Sequence, residues 1–142
     1  MKDLVRDFIL RKNLEENVRA EVKTGRKDPA KAKTLLKKVL EYYVKRAAIE
    51  KEYAYIYVKR TIRKRVKLSY TLPDEFFEHL GVDRESEEAR NRISLLMNEV
   101  RKELRRRADL RPYFNKIESI HMDKSRSVIK IVPKKPSRFS RD

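Results

Sequence analysis

Tyr53-Ala54-Tyr55-Ile56-Tyr57-Val58-Lys59-Arg60-Thr61-Ile62-Arg63-Lys64-Arg65-Val66-Lys67-Leu68-Ser69-Tyr70 is the stretch whose reading decides the fold. Its residues sort by parity. Ile56, Val58, Ile62, Val66, Leu68 and Tyr70 are even-numbered, whereas Tyr53, Tyr55, Tyr57, Lys59, Arg63, Arg65 and Lys67 are odd-numbered. Successive side chains of a strand point to opposite faces, so this is a strand period. Val58, Ile62 and Val66 also lie four apart, which is a helical spacing. No Gly or Pro occurs from Ala30 to Leu72, and a run without turn residues argues against a hairpin inside it. The expectation is helix to about Arg63 and then an extended segment over Val66–Leu72. Strand across residues 53–70 is the competing reading.

Upstream, Asp28-Pro29 is a strong helix start, an N-cap oxygen followed by Pro at the first helical position. Leu36, Leu40 (or Val39), Tyr43 and Ala47 then form one apolar stripe. A helix from there to about Arg65 would span roughly 50 Å at 1.5 Å per residue. That exceeds the width of a domain this size, so part of it would project or pack against another chain. Residues 3–23 read as an earlier helix, with Leu4, Val5, Phe8 and Ile9 on one face and Gly25 as its stop.

Downstream, Leu72-Pro73-Asp74-Glu75 opens a short helix, Phe76–Leu80, that Gly81 ends. Ser86-Glu87-Glu88-Ala89 starts an amphipathic helix carrying Ile93, Met97, Val100 and Leu104, and Arg111-Pro112 marks its latest end. Residues 117–122 and 127–132 read as two strands joined by the turn Asp123-Lys124-Ser125-Arg126. The segment from Pro133 on is a basic, Pro-broken tail. The fold class expected is mainly α, a long helical hairpin plus shorter helices, with a small C-terminal β-hairpin. Three parts follow from it: the hairpin over 1–65, a compact helical part with the β-hairpin over 66–132, and the tail over 133–142.

Of 142 residues, 38 are Lys or Arg and 22 are Asp or Glu, a net charge of +16, and such an excess on so small a body repels itself. A polyanion relieves it. Nucleic acid is the first candidate and an anionic membrane surface the second. Apolar residues make up 39% and charged ones 42%, so the core is thin. The charge is also segregated. Residues 53–72 carry 6 basic and no acidic side chains, residues 73–99 are net −5, and residues 100–142 are net +9. Apolar periodicity runs through nearly all of it, which sets this chain apart from a simple basic tail. Without Cys there is no disulfide framework or thiolate zinc site, and two His argue against most other metal centres. No metal or other cofactor is expected. No run approaches 18 apolar residues, so no membrane span is expected. Met1-Lys2-Asp3-Leu4 has no signal-peptide h-region, so secretion by a signal peptide is not expected. The absence of Gln and Trp, with abundant Glu, Lys and Arg, resembles hyperthermophile usage.

No catalytic constellation emerges. His79, between Glu78 and Leu80, reads as a surface or cap residue, and His121 as a structural residue of a strand. The carboxylate pairs Glu15/Glu16, Asp74/Glu75 and Glu87/Glu88 fall at helix starts or on charged faces, where the helix dipole accounts for them. There is no Gly-rich phosphate cradle. Three features point to nucleic acid. One is the acid-free run with Lys59, Arg60, Arg63, Lys64, Arg65 and Lys67. Another is the arginine-rich segment with Arg101, Arg105, Arg106, Arg107 and Arg111, together with Lys134, Lys135 and Arg138 of the tail. All of these are candidate phosphate contacts. The third is the cluster Tyr42, Tyr43, Tyr53, Tyr55 and Tyr57, for which packing between helices is the expectation and stacking on bases the alternative.

Residues 64–104 resemble the ribbon-helix-helix DNA-binding family: the alternating segment Val66–Thr71, then Leu72-Pro73-Asp74-Glu75, Gly81, and a second helix from Ser86 to Leu104. That resemblance implies a base-reading role for Lys67, Ser69 and Thr71. Residues 74–132 are also similar to a winged helix, which implies a recognition helix over Glu87–Arg106 and a wing tip at Lys124 and Arg126. In architecture and composition the whole chain resembles the capsid proteins of archaeal filamentous double-stranded DNA viruses, which wrap DNA with long basic helices. The expected function is a non-enzymatic structural protein that wraps or packages double-stranded DNA through phosphate contacts in a multi-subunit nucleoprotein. RNA is the other possible nucleic acid. Self-association or a related subunit is expected, in a virion or the cytoplasm. A ribbon-helix-helix or winged-helix regulator, or a ribosomal RNA-binding protein, is the alternative.

Overall fold

The computed structural model describes residues 10–12, 28–60 and 66–135. The helix expected over 3–23 lies outside them, apart from the helical residues Leu10–Lys12. Arg63, Lys64, Arg65 and Arg138 lie outside them as well.

Helix α1 (Pro29–Glu50) begins where the sequence signals it, with the Asp28 carboxylate accepting from the amides of Ala30 at 3.1 Å and Lys31 at 3.3 Å. Its buried stripe is Ala32, Leu35, Leu36, Val39, Leu40, Tyr43, Val44, Ala47 and Ala48. It stops fifteen residues before Arg65. Lys51 turns into the left-handed region (φ 56°, ψ 34°), and its amide closes the helix on the Ala47 carbonyl at 2.8 Å. A side chain with a Cβ pays roughly 1–2 kcal/mol for that conformation, so tertiary pairing must supply the difference.

That pairing is a sheet. Strands β1 (Ala54–Tyr57), β2 (Ser69–Thr71), β3 (Ile117–Asp123) and β4 (Val128–Pro133) form one four-stranded sheet in the order β2-β1-β4-β3. The chain is therefore not mainly α with a small terminal hairpin. It is an α/β fold in which the expected hairpin, β3–β4, is half of a mixed sheet. The parity in residues 53–70 resolves as strand at both ends: β1 and β2 pair in parallel, Tyr55 opposite Ser69 and Thr71 opposite Tyr57. Parallel pairing also accounts for the missing turn residue, because no hairpin connects the two strands. β4 is antiparallel to both β1 and β3, and it runs on to Pro133, which pairs with Ile117. The tail thus begins one residue later than its first proline suggests.

Short helix α2 (Asp74–Leu80) ends on Gly81 at φ 71°, and α3 (Glu87–Arg106) is capped by the Ser86 hydroxyl, which accepts from the Ala89 amide at 3.1 Å. A 3-10 turn (Ala108–Leu110) and α4 (Arg111–Phe114) lead into β3. The layers are simple. Ala54, Ile56, Ile129 and Ile131 are fully buried on one sheet face under α1, and Ile93, Val100 and Leu104 of α3 join the same core. β2 and β3 are the edges.

Among the described residues three polar ones are buried, Ser127 at the hairpin turn and, beside α2, Arg84 and His79. Arg84 is 6% exposed, donating to the Val58 carbonyl at 2.6 Å and to Asp74 at 2.7 Å, with its guanidinium 4.5 Å from the Phe77 ring centroid. His79 is not the surface residue expected: it is buried beside Phe76, Phe77 and Leu80, and neither ring nitrogen has a hydrogen-bond partner among the described residues. The seven residues of α2 dock with more than one face, so a charged-looking neighbourhood in sequence becomes an apolar one in space.

Candidate nucleic-acid interface

The fold sorts the expected phosphate contacts into cations that hold the structure together and cations that face outward unpaired. Lys67 donates to Glu50 at 3.1 Å across the end of α1. Arg60 is exposed but ion-paired with Asp74. Lys59 sits half-buried after β1. Arg101 donates to the Ile120 carbonyl and to the Asn98 side chain, tying α3 to β3. Arg107 clamps two carboxylates, Glu41 at 3.0 and 3.1 Å and Asp109 at 2.6 and 3.1 Å. These side chains are committed to the protein.

The remainder gather at one end of the molecule. Arg105 and Arg106 are exposed in the last turn of α3, Arg111 is exposed at the head of α4, and Lys134 and Lys135 are exposed beyond β4. The Lys134 amide donates to the Lys116 carbonyl at 2.9 Å, which brings exposed Lys116 beside them. α4 packs on α1, α3 and the start of β3, so these residues share one end of the fold. Among the described residues none of these six side chains has a hydrogen bond or an ion pair. The sequence singled out five of them, and Lys116 was missed because it stands alone in the chain. It joins the group only through the β3–β4 pairing.

Ion pairs elsewhere contribute to the pH dependence of the fold. Asp74 is held below the usual carboxylate range by its hydrogen bond from Arg84, Glu103 by Lys33 and then Lys37, Glu50 first by Lys67, and Asp109 by Arg107. A depressed folded-state value means that the unfolded chain takes up protons first as pH falls. The stabilisation is therefore complete above the ordinary carboxylate range and is lost through and below it, from about pH 5 downward. Thermal melts from pH 7 to pH 2 should show a falling midpoint in that window. Added salt at pH 7 should not lower the midpoint, since it weakens these mostly exposed pairs only slightly and screens the repulsion of the +16 net charge.

The hairpin tip lies against the start of α3. Arg90 donates to the Lys124 carbonyl and to the Ser127 hydroxyl, both at 3.3 Å, and Lys124 donates to Asn91 at 3.2 Å. Among the described residues no three His, Cys, Asp or Glu side chains converge as a metal site would need. None of the described helices is long and apolar enough to cross a membrane. Comparison with protein families, characterised proteins and solved structures returns no match.

Proposed function

We propose that this is a non-enzymatic protein that binds nucleic acid through its phosphate backbone, with duplex DNA as the first ligand and a structural, packaging role in a nucleoprotein. The observation that carries the reading is the group of cations at one end of the fold that have no partner among the described residues: Arg105, Arg106, Arg111, Lys116, Lys134 and Lys135. Six outward cations without carboxylate partners among the described residues cost self-repulsion in the free protein, and a phosphate chain removes that cost. The long projecting helix that also suggested wrapping ends at Glu50. The packaging role and a virion setting therefore rest on charge and composition, not on helix length.

Binding should fall linearly on a log–log plot against salt, with a slope near 0.9 per phosphate neutralised. Changing Arg105, Arg106 and Arg111 together to Ala should reduce that slope by about 2 to 3 and weaken binding alike on unrelated duplexes. Arg107→Ala removes a cation from the same segment but should leave the slope nearly intact, because Arg107 is already paired with Glu41 and Asp109. Fluorescence anisotropy with labelled duplexes measures both. Salt-insensitive binding would overturn the phosphate reading. A loss confined to one sequence would favour a regulator, and metal-stimulated cleavage would end the non-enzymatic claim.

A further inference from the structure

The sheet has a second face, and its residues differ in kind from those of the basic end. Ala54 and Ile56 point into the core, so Tyr53 and Tyr55 point away from it. Tyr53 is 37% exposed and Tyr55 is half-buried. The rings of Tyr53, Tyr55 and Tyr57 follow one another along β1 with centroids 6.3 Å apart at each step, and Tyr55 and Tyr57 are stacked with 16° between their planes. The Lys130 ammonium stands among them, 4.7 Å from the Tyr53 centroid and 5.9 Å from that of Tyr55. Pairing across the strands sets Ser69, Tyr55, Lys130 and His121 in one row. The face closes toward its far end, where Tyr57 and Val128 are buried, and is open around Tyr53, Tyr55 and Lys130.

We infer that this face stacks the unpaired bases of a single-stranded nucleic acid. The inference rests on the nucleic-acid reading above and adds the strand state and the site. Each element of the face has a counterpart in that ligand. A tyrosine ring offers a flat surface that any base can cover, and a row of them along a strand can take successive bases. Lys130 lies between the rings, where a stacked base brings its phosphate. The Ser69 hydroxyl, which donates to the Val66 carbonyl at 3.0 Å, keeps an acceptor for a base edge, and the exposed His121 imidazole, whose Nδ1 lies 3.4 Å from the Ser119 hydroxyl, presents its other nitrogen at the end of the row. Asp123, the carboxylate that ends β3, is turned to its own hairpin, accepting from the Ser125 hydroxyl at 2.7 Å and leaving the row itself without an acid. A duplex cannot use such a face, because its bases are already stacked on each other. Charge supplies the rest: β4, which carries Lys130, runs on into Lys134 and Lys135 of the basic end, so one strand could pass from the rings to the cations.

The test compares labelled 12-mers of deoxythymidine, of uridine, and a mixed-sequence duplex of equal length, against the full chain in moderate salt. The wild type should bind the duplex and at least one single strand, with loss of tyrosine emission on the single strand only. Tyr53→Ala and Tyr55→Ala should each lose about tenfold on the single strand and leave duplex affinity unchanged. Tyr53→Phe and Tyr55→Phe keep the ring and should bind as the wild type does, with midpoints that confirm folding. The deoxythymidine and uridine arms separate DNA from RNA, and a preference for either supports the inference. If the Ala variants bind single strands as tightly as the wild type, or the Phe variants lose as much as the Ala variants, the stacking face is refuted while phosphate binding stands. If neither single strands nor duplex bind at low salt, both readings fall together.

Discussion

Ile56→Ala is expected to cost about 3–4 kcal/mol of stability, close to the upper part of the range for emptying a buried aliphatic site. Ile56 is fully buried at the centre of β1, opposite Tyr70 on one side and Ile129 on the other, beneath α1. Its neighbours belong to three elements fixed by their own pairings, so the gap cannot collapse. With the cohesion of a chain this size, the midpoint should drop by roughly 10–15 °C. Calorimetry or denaturant titration reads it, with an unchanged m-value showing that only the native state has been altered. The comparison with the adjacent position is as informative as the loss. Tyr55→Ala, on the open face, should cost under about 1 kcal/mol, a cross-strand pair contribution. Equal losses at Ile56 and Tyr55 would contradict the alternation of β1.

Arg84→Ala should cost about 3 kcal/mol. The substitution leaves the Val58 carbonyl without its donor in a buried setting, a loss of roughly 1–3 kcal/mol. It also removes the guanidinium from the Phe77 ring, a contact of about 1–2 kcal/mol where desolvated. The Asp74 contribution is counted low, because that carboxylate is half exposed and still reached by Arg60. Arg84→Lys should recover less than half of the loss, since an ammonium cannot serve Val58 and Asp74 from one planar group. Equilibrium unfolding of the two variants checks the order. A neutral Arg84→Ala would mean that α2 is held to the end of β1 by apolar contact alone.

The elements that could be read in advance were those whose signals are local. Asp28-Pro29, Ser86 and Gly81 each act within one turn of backbone, and each stands where its chemistry requires. The apolar stripe of α1 and the series Ile93, Met97, Val100 and Leu104 are likewise properties of neighbours along one helix. The end of α1 was not legible, because nothing local produces it. Lys51 takes a left-handed conformation that glycine would have advertised, and what holds it there is the pairing of β1 with strands far along the chain. Parity showed which tyrosines share a face, but only the sheet shows that Tyr53 and Tyr55 look outward, whereas Tyr43 is buried in α1 with its hydroxyl donating to the Ser69 carbonyl at 3.3 Å. The interface divides in the same way. That the 101–111 segment is basic is plain from composition. That Arg107 is neutralised while Arg105 and Arg106 are not depends on Asp109, two positions on, and on Glu41, 66 positions away.

The early stop of α1 also sets an order of events in synthesis. β1 ends at Tyr57, and its antiparallel partner β4 begins only at Val128. When residues 28–60 leave the ribosome, the pairing that bends Lys51 does not yet exist, so nothing local fixes where the helix ends. Contacts this distant in sequence form late and slowly. The end of α1 and the strand that follows are therefore fixed only once β4 has been made. Any truncation that removes β4 should leave β1 without its antiparallel partner and so loosen the stop at Lys51.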